Sequence, residues 1–247
     1  MKKRKISLFV VVFAVIFAAC CGAAIWGSLR ITSETSRMRP DDSGEVVPSV
    51  FAVRHDYVNS WFIKGKDGWI AVDTGVETKK LIGQMRALSI DPSSVKALLL
   101  THTDYDHAGA VKALPGASLF IGEAEEQMVN GKTARMFFTR NSPLPLHSLL
   151  ADGEQLTLAG LPVTAYHIPG HTPGSTAYLI GDGFLFVGDE MSILDGRMGP
   201  FNAFFNMDSA QALRSQSKLR AIPGVKAVFT SHYGHSLDPS RLFSPAP

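Results

Sequence analysis

The chain has 247 residues, 45% hydrophobic and 19% charged, with a formal net charge of +2. This composition and length describe a globular chain with room for one large domain, and they exclude a disordered or low-complexity one. Lys2, Lys3, Arg4, Lys5 and Arg30 hold five of the 24 basic charges; 19 remain against 22 acidic ones beyond residue 30, a net of −3, with no basic stripe to serve as a nucleic-acid surface.

Ile6 to Trp26 carries no charge. These residues, at about 1.5 Å each, reach about 31 Å, enough to span a bilayer core. The positive cluster before them puts the N-terminus in the cytoplasm and the rest of the chain outside. Residues 1–30 therefore read as a signal anchor, or as a signal segment cut near Gly22-Ala23-Ala24. Phe17-Ala18-Ala19-Cys20 resembles a bacterial lipoprotein box with Phe in its first position. Cleavage would leave a secreted protein or a lipoprotein; retention leaves a single-pass membrane protein with an extracytoplasmic domain. Cys20 and Cys21 both fall in this segment, so the domain beyond it can form no disulfide and use no thiolate. Its chemistry must come from His, carboxylates, hydroxyls and metal. Residues 31–45 are polar and read as a linker.

A folded domain is expected over 46–247. Val50 to Val53, Asn59 to Ile63 and Trp69 to Val72 are short β-type runs, the last two joined by Lys66-Asp67-Gly68. Asp73-Thr74-Gly75 leads into a helix over about 77–89, with Leu81, Ile82, Met85 and Leu88 at helical spacing. There Asp73 reads as an N-cap-type residue. A strand from Val95 ends in the apolar run Ala97 to Leu100, the mark of burial on both faces. Thr101-His102-Thr103-Asp104-Tyr105-Asp106-His107-Ala108-Gly109 follows it. Four potential metal ligands within six residues would be costly to bury without an ion. His102 and Asp104 can face one way along the strand end, Asp106 and His107 another beyond the bend. The chain continues as a short helix over 108–114, a strand over 117–121 and a helix over 123–129.

Residues 130–147 show no clean period. So long a loop suggests a lid or substrate wall, with Phe137-Phe138 as its apolar contact, or aromatics that simply pack on the core. Strands then return at 155–158 and 162–168, divided by Ala159-Gly160, and at 177–180 and 184–187, divided by Gly181-Asp182-Gly183. His171 follows one strand and Asp189 ends another. Residues 191–206 read as irregular, 208–221 as a helix, and 225–229 as a last strand before His232. Strands followed by a helix, twice over, favour two packed sheets with helices outside: an α+β, four-layer αββα sandwich. Every candidate ligand sits where a strand gives way to a loop. His167 reads as structural, and His55 and His147 have no motif around them. Tyr105 either lines the mouth of the site or packs.

His102-x-Asp104-x-Asp106-His107-x-Gly109 resembles the signature of the metallo-β-lactamase-fold hydrolases, commonly His-x-His-x-Asp-His. The resemblance runs from about Val50 to the end, with Asp73-Thr74-Gly75, His171, Asp189 and Ser231-His232 in the family's order. It implies the αββα fold, with two divalent metal ions at one edge. One ion would take His102, Asp104 and His171, the other Asp106, His107 and His232, with Asp189 bridging them as in the glyoxalase II-like dinuclear type. It also implies that Asp73 lies beneath the metals and orients a ligand. His235, three residues beyond His232, could touch substrate or support the site; an exposed loop histidine is its plainer reading. Asp106 could pass a proton besides ligating.

Asp104 departs from the family pattern, in which His is usual. A carboxylate adds negative charge and hardness, which favours Mn or Fe over Zn at that position, although Zn is the family's common ion. Alternatively Asp104 only neighbours the site, and one ion is bound. The expected function is hydrolysis by a metal-bound hydroxide of a small-molecule ester, thioester, lactone or phosphodiester. The alternatives are an iron-dependent oxidoreductase of the same fold, since diiron relatives carry an acid at this position, a β-lactamase, and a binding module without activity.

Overall fold

The computed structural model describes residues 8–135 and 139–244. The chain divides into two units, the first ending at Met38 and the second beginning at Arg39. In the first, helix α1 spans Leu8–Thr35. Val11–Thr35 is long and apolar enough to cross a membrane, by length and composition. The helix runs past residue 30 into the stretch read as linker, because no Pro or Gly interrupts Ile31 to Thr35.

From Arg39 onward that stretch belongs to the second unit. Arg39 N–H donates to the His232 carbonyl at 2.8 Å, and Asp41 N–H donates to Asn59 Oδ1 at 2.8 Å. The unit then builds β1 (Gly44–Val47), β2 (Val50–His55), β3 (Val58–Gly65), β4 (Gly68–Val72), α2 (Thr78–Ala87), β5 (Val95–Leu99), α3 (Tyr105–Ala108), β6 (Ser118–Gly122), α4 (Glu126–Val129) and β7 (Ser148–Leu150). Its second half holds β8 (Gln155–Leu158), β9 (Leu161–His167), β10 (Thr176–Ile180), β11 (Phe184–Phe186), β12 (Met191–Leu194), β13 (Arg197–Pro200), α5 (Ser209–Arg220), β14 (Ala227–Phe229), β15 (His235–Ser236) and α6 (Pro239–Phe243).

The first sheet runs β1 to β7 in chain order, antiparallel through β4 and parallel beyond it. The second has the order β15-β14-β11-β10-β9-β8, with β11 and β14 parallel. Period-2 alternation sorts the side chains. In β4 and β5, Ile70, Val72, Ala97 and Leu99 turn inward to meet Val163, Tyr178, Phe186 and Phe229 of the second sheet. Ala71 and Leu98 turn outward onto Leu81 and Met85 of α2. On the far side, Leu185 and Val228 pack against Leu219 of α5 and Leu242 of α6. The result is the four-layer αββα sandwich that the sequence implies. Trp61, fully buried and edge-on to Phe229 at 5.0 Å, anchors the inner layer; truncating such a residue costs about 3–5 kcal/mol.

Two local expectations change. The helix expected over 108–114 is a single turn, Tyr105–Ala108, followed by a 3-10 turn at Val111–Ala113, because the chain must bend there to aim its side chains. Residues 191–200 form the hairpin β12–β13, turned at Asp195-Gly196, both with positive φ. Asp-Gly between short runs is a hairpin signal.

Candidate metal centre

The parallel strands of both sheets end on the same side, and the loops leaving them bring seven predicted side chains together. Thr101 to Asp104 follow β5, Asp106 and His107 sit on α3, His171 follows β9, Asp189 follows β11, and His232 follows β14. Three groups of ligand atoms each fall within 4.8 Å: His102, Asp104 and His171; His102, His107 and Asp189; and Asp106, His107 and His232.

Asp189 stands between the two ends of the cluster. Its Oδ2 lies 3.1 Å from His232 Nε2 and 3.6 Å from His171 Nε2, and its Oδ1 lies 3.4 Å from His107 Nε2. Asp104 Oδ2 is 3.3 Å from His171 Nε2 and 3.6 Å from His102 Nε2. Asp106 is 3.5 Å from His232 Nε2 and 3.8 Å from His107 Nε2. Ligands about 2.0–2.2 Å from one tetrahedral ion stand about 3.3–3.6 Å apart, so these spacings suit shared cations.

The outward ring nitrogens fix the tautomers. His107 Nδ1 bonds Asp73 Oδ2 at 2.8 Å, and His232 Nδ1 bonds the Tyr57 carbonyl at 2.7 Å. His171 Nδ1 bonds Asn206 Oδ1 at 3.2 Å, and His102 Nδ1 bonds Thr101 Oγ1 at 3.1 Å. Thr101 Oγ1 spends its own hydrogen on Asp73 Oδ2, so it accepts from His102. Four acceptors therefore hold Nδ1–H outward and turn four Nε2 lone pairs inward, the arrangement by which outer groups orient metal-binding imidazoles. Among the described residues, His102 Nε2, His107 Nε2 and Asp189 Oδ1 are buried with no hydrogen-bond partner. Buried polar atoms are seldom left so unless something else satisfies them. The His and Asp clusters fit a dinuclear metal site.

The titration behaviour follows from crowding. Burial, then the neighbouring His107 and His171, hold the His102 imidazolium well below its ordinary range. Burial works the same way on His107, but the charges of Asp189, Asp73 and Asp106 outweigh it and raise that imidazole. Burial pushes Asp189 up, and the charges of His232 and His107 more than reverse it. Without a cation the carboxylates thus recruit protons onto His107 and His232.

Asp73 is not a helix cap. The residue at the start of α2 is Glu77, and the buried Asp73 carboxylate instead accepts from Thr101 N–H at 2.8 Å as well as from His107. Its φ of +58° turns the chain so that the carboxylate points beneath His107, a conformation Asp tolerates better than most residues. Gly188, φ +57°, precedes Asp189; a Cβ there would lie 2.5 Å from Thr101 Oγ1. His235 is not brought into the cluster. Its ring pairs with Asp41 at 2.8 Å and stacks on Phe229, because β15 carries it away beside β14. His167 bonds the Leu150 carbonyl and His147 bonds Glu126. Tyr105 is exposed at the rim, and Phe137 and Phe138 lie outside the described residues.

Sequence reasoning missed three residues here. Buried Glu125 accepts from Thr103 N–H and Oγ1 at 2.8 and 2.7 Å and from Thr172 Oγ1 at 2.6 Å, tying the loop of His102 to the loop of His171. Arg135 Nε donates to both Asp104 oxygens at 2.8 and 2.7 Å, and Asn141 Nδ2 donates to Asp104 Oδ1 at 3.2 Å. The alternation of charged and small residues around Glu125 looks like a solvated face, and the 130–147 loop has no period to read. Burial pushes the Asp104 carboxyl up, but the contact with His171 and the charges of His102, His171 and Arg135 hold it well below the usual range. A cleft of about 560 Å³ opens beside Thr103, Tyr105 and Asn141, with Lys112 and Arg140 on its walls.

The model of the metallo-beta-lactamase superfamily matches residues 53–235. The chain is 31% identical over 189 residues to a hydroxyacylglutathione hydrolase of Aeromonas hydrophila, covering 75% of this chain and 64% of that one. A hydroxyacylglutathione hydrolase of Photobacterium profundum is 30% identical over 194 residues, with 75% and 65% covered. The match thus spans a little under two thirds of these relatives' length. Among solved structures, a metallo-beta-lactamase with a HARLDQ motif from Cronobacter sakazakii superimposes with a TM-score of 0.64 at 21% identity, covering 80% of each chain. A metallo-beta-lactamase family protein of Thermus thermophilus gives 0.62 at 24% identity, over 80% and 78%. These structures share the fold. With its family model matched across most of its second unit, the chain belongs to the metallo-beta-lactamase superfamily.

Proposed function

We propose that this protein is a metal-dependent hydrolase of the glyoxalase II type, with His102, Asp104 and His171 holding one divalent cation, Asp106, His107 and His232 another, and Asp189 shared. The observation that carries this reading is the convergence of four Nε2 lone pairs and the Asp189 carboxylate, with each Nδ1 tied outward. Two bound cations would supply Lewis acidity toward the scissile group and a water acidified to near neutrality. Zinc is the ion we assign first; the carboxylate of Asp104 leaves manganese and iron as rivals at its position.

The chain's own groups divide the remaining work. Asp106, 22% exposed, is the carboxylate open enough to pass a proton from Oδ to the leaving group. The cleft beside Thr103 and Asn141 takes the rest of the substrate, and Lys112 and Arg140 suit an anionic tail. A thioester comes first among substrates, because the relatives matched over 64% of their length are hydroxyacylglutathione hydrolases. An ester, lactone or phosphodiester would meet the same cations. Resemblance to β-lactamases of known structure, at 18–22% identity, speaks for fold and not for that activity. We further propose that α1 anchors the chain in a membrane with the catalytic unit extracytoplasmic, supported by the length of Val11–Thr35 and the basic cluster before it.

The test is turnover by the full, detergent-solubilised chain reloaded with zinc, manganese or iron. The panel pairs a hydroxyacyl thioester of glutathione with an aryl ester, a lactone, a diaryl phosphodiester and a chromogenic cephalosporin. Thioester hydrolysis that vanishes in His102→Ala, Asp189→Ala and His232→Ala is expected. Turnover retained in all three variants overturns the assignment.

A further inference from the structure

Arg135 occupies an unusual place for a cation. It lies on the connection after α4, yet its side chain is only 13% exposed. Its Nε lies 2.8 and 2.7 Å from the two Asp104 oxygens, its Nη2 lies 3.2 Å from His171 Nε2, and Nη2 also donates to the Phe205 carbonyl at 2.5 Å. Two of the three ligand atoms gathered at this end of the cluster are therefore already engaged by one guanidinium. His171 Nδ1–H is given to Asn206, so the Nε2 lone pair is the atom that receives the Arg135 proton, and it is also the atom a metal would need. No comparable contact falls on the Asp106, His107 and His232 group among the described residues, where the cationic neighbours are the imidazoles themselves.

The charges give the contact its meaning. Asp104 adds one negative charge to a position whose other members are neutral imidazoles, and an arginine fork matches a carboxylate better than any other side chain. A divalent ion and a guanidinium cannot share the same carboxylate and the same imidazole lone pair at hydrogen-bond range without strong repulsion.

We propose that Arg135 competes with metal for Asp104 and His171, so that the His102, Asp104 and His171 position fills only in exchange for the guanidinium and is the weaker of the two metal positions. This rests on the dinuclear reading above and deepens it. The position that departs from the family's histidine carries its own displaceable cation. Loading it requires the Arg135 side chain to withdraw from Asp104 and His171, which sets the affinity for the second metal equivalent.

Zinc binding, read without turnover, tests the exchange. The full detergent-solubilised chain is stripped of metal and titrated with Zn²⁺ against a chromophoric chelator, for wild type, Arg135→Gln and Arg135→Lys, with near-UV circular dichroism to check folding. Two steps of unequal affinity are expected in the wild type. In Arg135→Gln the second step tightens by about tenfold or more while the first is unchanged, and Arg135→Lys falls between. A single equivalent in the wild type with two in Arg135→Gln is the stronger form of the same result. Two equivalents with unchanged affinities, or a second step weakened in Arg135→Gln, overturns the competition and leaves the dinuclear reading standing. One equivalent in every variant overturns both. Should Arg135→Gln misfold, Arg135→Lys carries the test alone, since it keeps the charge and loses the paired contact.

Discussion

The two ends of the cluster use the same ligand types and are held in different ways. At the end of His107 and His232, the supporting groups belong to the sheets. The Asp73 carboxylate follows β4, and the Tyr57 carbonyl sits in the turn between β2 and β3. At the end of His171 and Asp104, the supporting groups are side chains of long connections: Asn206, Asn141 and Arg135. Strand ends cannot move without disturbing two packed layers, whereas loops can. One end is thus built as a fixed acceptor set. The other has an adjustable charge balance, with Asp104 and Arg135 offsetting each other.

Asp189 is where the comparison can be broken most completely, because it reaches both ends, 3.1 Å from His232 Nε2 and 3.6 Å from His171 Nε2. Asp189→Ala should weaken both zinc steps and lower kcat/KM on the order of 10³-fold or more. His171→Ala and His232→Ala should each remove one step. Zinc stoichiometry of the three variants, measured alongside turnover, decides it; loss of a single step in Asp189→Ala would mean that the carboxylate serves one end only.

The supporting acceptors sharpen the contrast. Asp73→Asn keeps the shape but offers His107 Nδ1–H an amide in place of a carboxylate, and Thr101 loses a charged partner as well. A loss of about 10–100-fold in metal affinity or turnover is expected. Asn206→Ala removes a neutral acceptor at 3.2 Å from the other end and should cost less, within about tenfold. Equal losses would remove the distinction between sheet-held and loop-held imidazoles. Glu125→Gln acts on the end of His102 and His171, through the two loops it ties together. Its amide would face the hydroxyl and amide donors of Thr103, and about 2 kcal/mol of stability should be lost in denaturant melts.

The same contrast explains what could be read from the amino-acid order. The convergent side chains at strand ends were legible because each follows an apolar run: Leu100 before His102, Val187 before Asp189, Phe229 before His232. The αββα layering was legible from the order of the elements, strands followed by a helix, twice over. Arg135 and Asn141 were not, because they reach Asp104 across 31 and 37 residues of sequence, from a stretch without period. Glu125 looked like one more surface acid, since only the fold brings Thr103 and Thr172 to it. Arg39 to Ser43 read as linker because its contacts, with His232, Asn59 and Arg54, lie across the unit and are made largely by backbone groups.

A pH-dependent effect comes from beneath the sheet-held end. His55 is fully buried, and both its ring nitrogens lack a partner among the described residues. Its ring abuts Gly75 so closely that a Cβ there would lie 2.5 Å from Cδ2. That glycine closes the Asp73-Thr74-Gly75 turn on which His107 depends. Burial and then the Lys80 charge, against a weaker pull from Asp56, lower the imidazole from 6.5 to about 4. The unfolded chain therefore takes up the proton first as pH falls. Stability is unaffected above pH 6.5, declines below it, and stops declining near pH 4, with a loss of about 1 kcal/mol by about pH 5.5. Denaturant melts of the wild type and of His55→Leu between about pH 7.5 and 4 isolate this contribution, because metal loss at low pH affects both chains and cancels in the difference. A difference that stays flat across the range would mean that His55 accepts its proton in place, and that the turn under His107 tolerates a charge at its back.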